Sequence, residues 1–196
     1  MSDSKIEEKA KRAKDKPAPA TDKRRAMVRV QAGPLADALK GITSVVSRTS
    51  EIAPILANVM LESANGMLRM TATDLDMWLS DSIGTDGGDW RKEAKDFTTT
   101  VPARSLAAIA SAADGEATID IELVEGDGRA LVKYDRSRFK LPMLPPTDFP
   151  PVPTFAVESS FEISASQMVD AMACVDHAIS TEETRYYLNG IYMHPA

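Results

Sequence analysis

The sequence predicts an α+β protein in which short antiparallel strands and two helices make one domain, after which the same grammar starts again. Three observations predict it. Segments of alternating hydrophobicity are punctuated by turn residues, among them Asn65-Gly66, the strongest short-range hairpin signal. Apolar residues recur at helical spacing in two places before residue 115. At an offset of about 133 residues, Leu35, Leu39 and Ile42 fall on Met168, Met172 and Val175, and with one residue of slack PILANVML falls on YYLNGIYM, so the chain carries an internal repeat.

The first 26 residues contain one large aliphatic, Ile6, and hold nine Lys/Arg against five Asp/Glu. A segment of this composition cannot support a core, and residues 1–26 are expected to be a disordered basic tail. MVRVQA then alternates as an edge strand, and Gly33-Pro34 opens a helix carrying Leu35, Leu39, Ile42 and Val46. LANVMLESA and MLRMTATD form the Asn65-Gly66 hairpin, and MWLSDSIGT continues the sheet. FTTTV leads to Pro102, which suits the first turn of a second helix with Leu106, Ile109 and Ala110. ATIDIELV and RALVKY flank the turn at Gly126, Asp127 and Gly128, and SRFKLPML closes a first domain over 27–145.

PPTDFPPVP predicts a stiff, extended linker over 146–157. In 158–196, FEIS reads as a strand, Ser166 as a helix start, Met168, Met172, Val175 and Ile179 as its apolar stripe, and 185–193 as a following strand. In such a strand Tyr186 and Tyr187 point to opposite sides of the sheet. Arg185 is expected to pair with Glu182 or Glu183. This second copy of the repeat is incomplete, so the chain is expected to be a piece of something longer, with Met1 and Met27 both open as the start.

Composition excludes several functions. The tail balance of +4 within a total of −6 leaves −10 on the body, which argues against a surface that adheres to nucleic acid all over. The sequence has no apolar run of membrane-spanning length, and it is read as cytoplasmic. Cys174 is the single cysteine and there are two histidines, too few for a disulfide framework or a Cys/His zinc site. Asp74, Asp76 and Asp81 invite a metal-dependent nuclease reading, but Asp81 has the opposite strand parity and no histidine lies near, so turn capping or solvation is expected instead. There is no Walker loop, dinucleotide fingerprint or calcium-loop spacing. The residues call for no cofactor, no metal and no catalytic group.

TATDLDMWLS, TVPARSLAAIA, RSRFKLPMLPPTDFP and TRYYLNG, in this order and at these separations, resemble the bacterial sliding clamp, the beta subunit of DNA polymerase III. The similarity runs from Met27 to about Met193. It implies a DNA-clamp fold of repeated domains, each with two helices packed on antiparallel sheets, the second repeat here being truncated. It also implies a non-catalytic processivity factor: three domains per subunit, two subunits head to tail in a ring around double-stranded DNA, and partners in the replicative polymerase and the clamp loader. Residue by residue, the resemblance assigns Arg48, Arg104, Tyr186 and Tyr187 to the DNA-facing side. It places Leu188 in the cleft that takes partner peptides. The alternative is a non-ring interaction module that engages clamp, loader or DNA without encircling it.

Overall fold

The computed structural model describes residues 25–46, 53–124, 126–154, 156 and 160–194, and the chain divides into two compact units, Met1–Val152 and Pro153–Ala196. The expected disorder of the tail falls almost wholly outside the described residues. Its last two residues do not conform, because the first strand already begins at Arg25.

In the first unit, β1 (Arg25–Gln31) runs directly into α1 (Ala32–Val45). Then follow a 3-10 turn (Pro54–Ala57), β2 (Asn58–Ala64), β3 (Met67–Thr73) and β4 (Trp78–Gly84). A single helical turn, α2 (Trp90–Glu93), leads through β5 (Ala94–Lys95) to β6 (Phe97–Pro102) and α3 (Ala103–Ala112). Strands β7 (Thr118–Val124), β8 (Arg129–Tyr134) and β9 (Ser137–Pro142) complete it. Two sheets result, with orders β5-β1-β7-β8-β9 and β4-β3-β2-β6. All pairings are antiparallel except the short β1–β5 contact, where Arg25 lies opposite Ala94.

Turn chemistry sets the registers. Asn65 (φ 52°) and Gly66 (φ 79°) are both left-handed, the backbone a two-residue hairpin needs to match strand twist, and Ala64 pairs with Met67 across it. At the β3–β4 turn the Asp74 carboxylate accepts from the amides of Asp76 (3.1 Å) and Met77 (2.7 Å), and Thr73 Oγ1 accepts from Leu75 N (2.9 Å). Asp74 is thus committed to capping its own turn, in which Leu75 is held at φ 82°.

The core is the space between the sheets and the two longer helices. Leu35, Leu39 and Ile42 of α1, Leu106 of α3, and Leu61 and Ile121 of the two sheets are fully buried in one cluster. α1 has no side-chain cap; its first amides donate instead to Ala117 O and Gly115 O, both at 2.8 Å, which satisfies donors that a helix start leaves orphaned. A Cβ on Gly33 would stand 3.0 Å from the Gly115 carbonyl oxygen, so the close approach requires glycine there. Pro102 differs from expectation: it ends β6 opposite Asn58 and precedes α3. Since β6 is an edge strand, a residue without an amide hydrogen is accommodated.

On the outer face of the five-stranded sheet, Arg29 and Asp120 are directly opposed and joined by two bonds of 2.6 and 2.9 Å. The hydrogen bond to Asp120 raises the Arg29 pKa still further above its ordinary value. Lys133 reaches Glu122 at 2.7 Å beside this pair. Inside, a buried polar relay runs from Asn58 Nδ2 to Thr100 Oγ1 (3.0 Å) and from that hydroxyl to Leu144 O (2.9 Å). The relay holds the chain as it leaves β9. The linker is not extended from its start: Pro146–Asp148 form a 3-10 turn and Phe149 is buried. An aromatic ring in the proline run finds burial cheaper than exposure, and this bends the backbone.

The second unit departs more from expectation. FEIS is not a strand. The helix α4 (Ala165–Val175) starts one turn-position earlier than Ser166, because Ser164 and Gln167 form a capping box with each other's backbone amides. The strand expected over 185–193 is absent: a 3-10 segment, Glu183–Leu188, stands in its place. A strand needs a partner for its ladder bonds, and here the bonds close locally, Ser180 N to Leu188 O at 3.0 Å and Asn189 Nδ2 to Glu182 O at 3.3 Å. The stripe of α4 stays in solvent, with Met172 and Val175 each 42% exposed.

Two outcomes are expected of the first unit. Thr100→Val leaves the Asn58 amide and the Leu144 carbonyl without their shared partner, and chemical denaturation should show a loss of about 1–3 kcal/mol. Gly66→Ala places a side chain at left-handed φ, at a cost of about 1–2 kcal/mol, and should lower Tm while far-ultraviolet circular dichroism is unchanged.

Candidate nucleic-acid interface

Helices α1 and α3 pack together, and each buries one stripe and turns the other outward. On α1 the outward residues are Pro34, Asp37, Lys40, Gly41 and Ser44; on α3 they are Arg104, Ser105, Ala108, Ser111 and Ala112. The exposed charges on this pair are therefore one acid and two bases, set among small side chains. Small side chains let a polyanionic rod approach closely, and few cations keep the attraction weak. Such a face has no means of reading base edges, since the long amides and paired arginines that do so are lacking.

Arg104 occupies the first turn of α3, and its Nη2 donates to the Val46 carbonyl at 3.3 Å. Lys40, which the sequence reading passed over, is the other exposed cation of the face. It lies off the Leu35, Leu39 and Ile42 stripe at helical spacing and so toward solvent, the signal by which it could have been found. Arg48 lies outside the described residues, which break between Val46 and Ala53.

The remaining candidates belong to the second unit. Tyr187 is 70% exposed and Leu188 44% exposed, both within Glu183–Leu188; the side chain of Tyr186 lies outside the described residues. With the strand gone, strand parity does not apply to Tyr187. Arg185 Nε meets Glu182 at 3.6 Å, the local ion pair expected from sequence. Between solvent-exposed side chains such a pair contributes little to stability. Elsewhere in this unit Phe161, Ile163, Met168, Met172, Val175 and Tyr192 line an open apolar cleft of about 550 Å³. Among the described residues no three His, Cys, Asp or Glu side chains gather as a metal site, and no helix is long and apolar enough to cross a membrane.

Comparison with known proteins bears directly on this arrangement. Residues 27–153 match the family described as DNA polymerase III beta subunit, N-terminal domain. The beta sliding clamp of Caulobacter vibrioides is 34% identical over 169 residues, covering 84% of this chain and 42% of that protein. That of Escherichia coli K12 is 34% identical over 138 residues, 70% of this chain and 36% of its own. Among solved structures, the DNA polymerase sliding clamp from Caulobacter crescentus superposes with a TM-score of 0.77 at 33% identity, over 86% of this chain and 44% of the other. The DNA polymerase III beta subunit from Pseudomonas aeruginosa does so with a TM-score of 0.75 at 32% identity, over 84% and 42%. The chain thus spans about two fifths of the length of these relatives. Family match, sequence identity and superposed fold agree, and the chain belongs to the DNA polymerase III beta subunit family.

Proposed function

We propose that this chain is part of a sliding clamp, a processivity factor without chemistry of its own that encircles duplex DNA and tethers the replicative polymerase in the cytoplasm. In this reading residues 27–145 are the first clamp domain, 146–157 the linker and 158–196 part of the second domain. The observation that carries it is the paired-helix face: two helices backed by two sheets, presenting small residues and few charges, on a fold that superposes on sliding clamps at 0.77. A protein held on DNA by topological closure needs only weak contacts that ignore sequence, because strong ones would arrest sliding.

Arg48, Tyr186 and Tyr187 are the proposed contacts to the duplex. Arginine neutralises phosphate, and a phenol donates to phosphate or packs on sugar without reading sequence. Arg104, on the paired-helix face, is the fourth proposed contact, with one donor already committed to Val46. The Arg29–Asp120 and Lys133–Glu122 pairs neutralise part of the outer sheet, and the acidic body disfavours adhesion to DNA over the whole surface. Leu188 belongs to the cleft that accepts partner peptides, and the head-to-tail dimer and clamp loader act on the longer protein of which this sequence is part.

The test is primer extension by the replicative polymerase of the same organism, with the longer protein loaded on the template. The length synthesised per binding event should rise by at least tenfold, and Tyr186→Ala with Tyr187→Ala should reduce that gain several-fold with circular dichroism unchanged. A polymerase indifferent to the protein contradicts the reading.

A further inference from the structure

We infer that Arg104 is a positioning residue: its guanidinium ties the C-terminal end of α1 to the start of α3 and so fixes how the two helices sit on the face they share. The connection to DNA rests on the proposed function; the tie itself rests on geometry.

Arg104 is the second residue of α3, whose first turn holds no acidic residue. A helix start carries the positive end of the macrodipole and disfavours a cation, so this is a poor place for an arginine judged by its own helix alone. The neighbouring helix reverses the balance. α1 has no basic residue in its last turn, and its C-cap residue, Val46, is 3% exposed with extended backbone. Among the described residues its carbonyl has no other donor, and it lies at the negative end of a helix, where a cationic donor is favoured. Arg104 Nη2 supplies that donor at 3.3 Å.

The contact adds something the core does not. Leu39 and Ile42 of α1 and Leu106, Ile109 and Ala110 of α3 are buried in the same cluster, but apolar burial is non-directional and opposes sliding of one helix along the other only through side-chain fit. A hydrogen bond between the two helix ends is directional and biases their axial offset. Arg104 thereby governs the spacing of Lys40 and its own free donors on the outward face without itself having to be the residue that meets phosphate.

Hydrogen exchange on this chain tests the tie without any DNA. In Arg104→Ala the amides of residues 42–46 should exchange roughly five- to tenfold faster, those of the sheets should be unchanged, and Arg104→Lys should recover most of the protection because it restores a cation beside the same carbonyl. Unchanged exchange in Arg104→Ala overturns the inference. So does full protection in Arg104→Met, which keeps an aliphatic stem without the donor and would mark packing, not the hydrogen bond, as the cause. The salt dependence of binding to a 30-base-pair duplex separates the rival role. A lost phosphate contact lowers the slope of log K against log salt by about 0.9, whereas a positioning role weakens binding with the slope retained. Failure of the parent chain to hold this linear duplex is what retention by enclosure predicts and leaves the exchange result to decide the tie, while the proposed function fails separately, on a polymerase indifferent to the longer protein.

Discussion

Burial of one stripe of α1 is the constraint on which the rest of the first unit depends. Leu35, Leu39 and Ile42 are fully buried, each removing from water an apolar side chain worth about 1.5–3 kcal/mol. That stripe needs a surface to pack against, and both sheets and α3 supply it. The hairpins at Asn65-Gly66 and at Asp135, the latter held at φ 52°, then only have to keep the strands in register around a helix already committed to the centre. In the second unit the corresponding stripe of α4 lies open, with Met172 and Val175 in solvent. The same kind of sequence leaves a different surface when the strands that would cover it are not paired.

Function follows from what that burial leaves outside. Two helices whose inner faces are spent on the core turn outward mostly short residues, with Asp37, Lys40 and Arg104 as the exposed charges. Electrostatic attraction from two cations and one anion cannot hold a duplex at physiological salt. A protein with this face therefore either makes little use of DNA or retains it by enclosure. The kinship with sliding clamps supports the proposed enclosure, and the Arg29–Asp120 and Lys133–Glu122 pairs neutralise part of the outer sheet.

Local chemistry made most of the first unit legible in the sequence. Asn65-Gly66 requires left-handed backbone and declares its own hairpin; the α1 stripe declares a buried helix; Asp74 declares a turn. What was not legible depended on partners distant in the chain. Pro102 belongs to β6 because Asn58 pairs with it, which no local signal shows. Phe149 bends the linker because a buried site exists for its ring. Residues 185–193 alternate well enough for a strand, but alternation does not provide a neighbouring strand, and local bonds through Ser180 and Asn189 win. The Ser164–Gln167 capping box was readable from spacing and outweighs the nearer Ser166. Of the candidate site, the resemblance supplied every residue, and the structure adds what it could not: Arg104 already has an acceptor in Val46, and Lys40 shares its face.

The central claim is that enclosure, not affinity, keeps this protein on DNA. Its most direct test is retention of the longer protein on nicked circular duplex before and after a single cut that linearises it, at a salt concentration high enough to screen two or three cations. The complex is expected to persist on circles and to be lost from free ends. Equal retention on circular and linear DNA would contradict it.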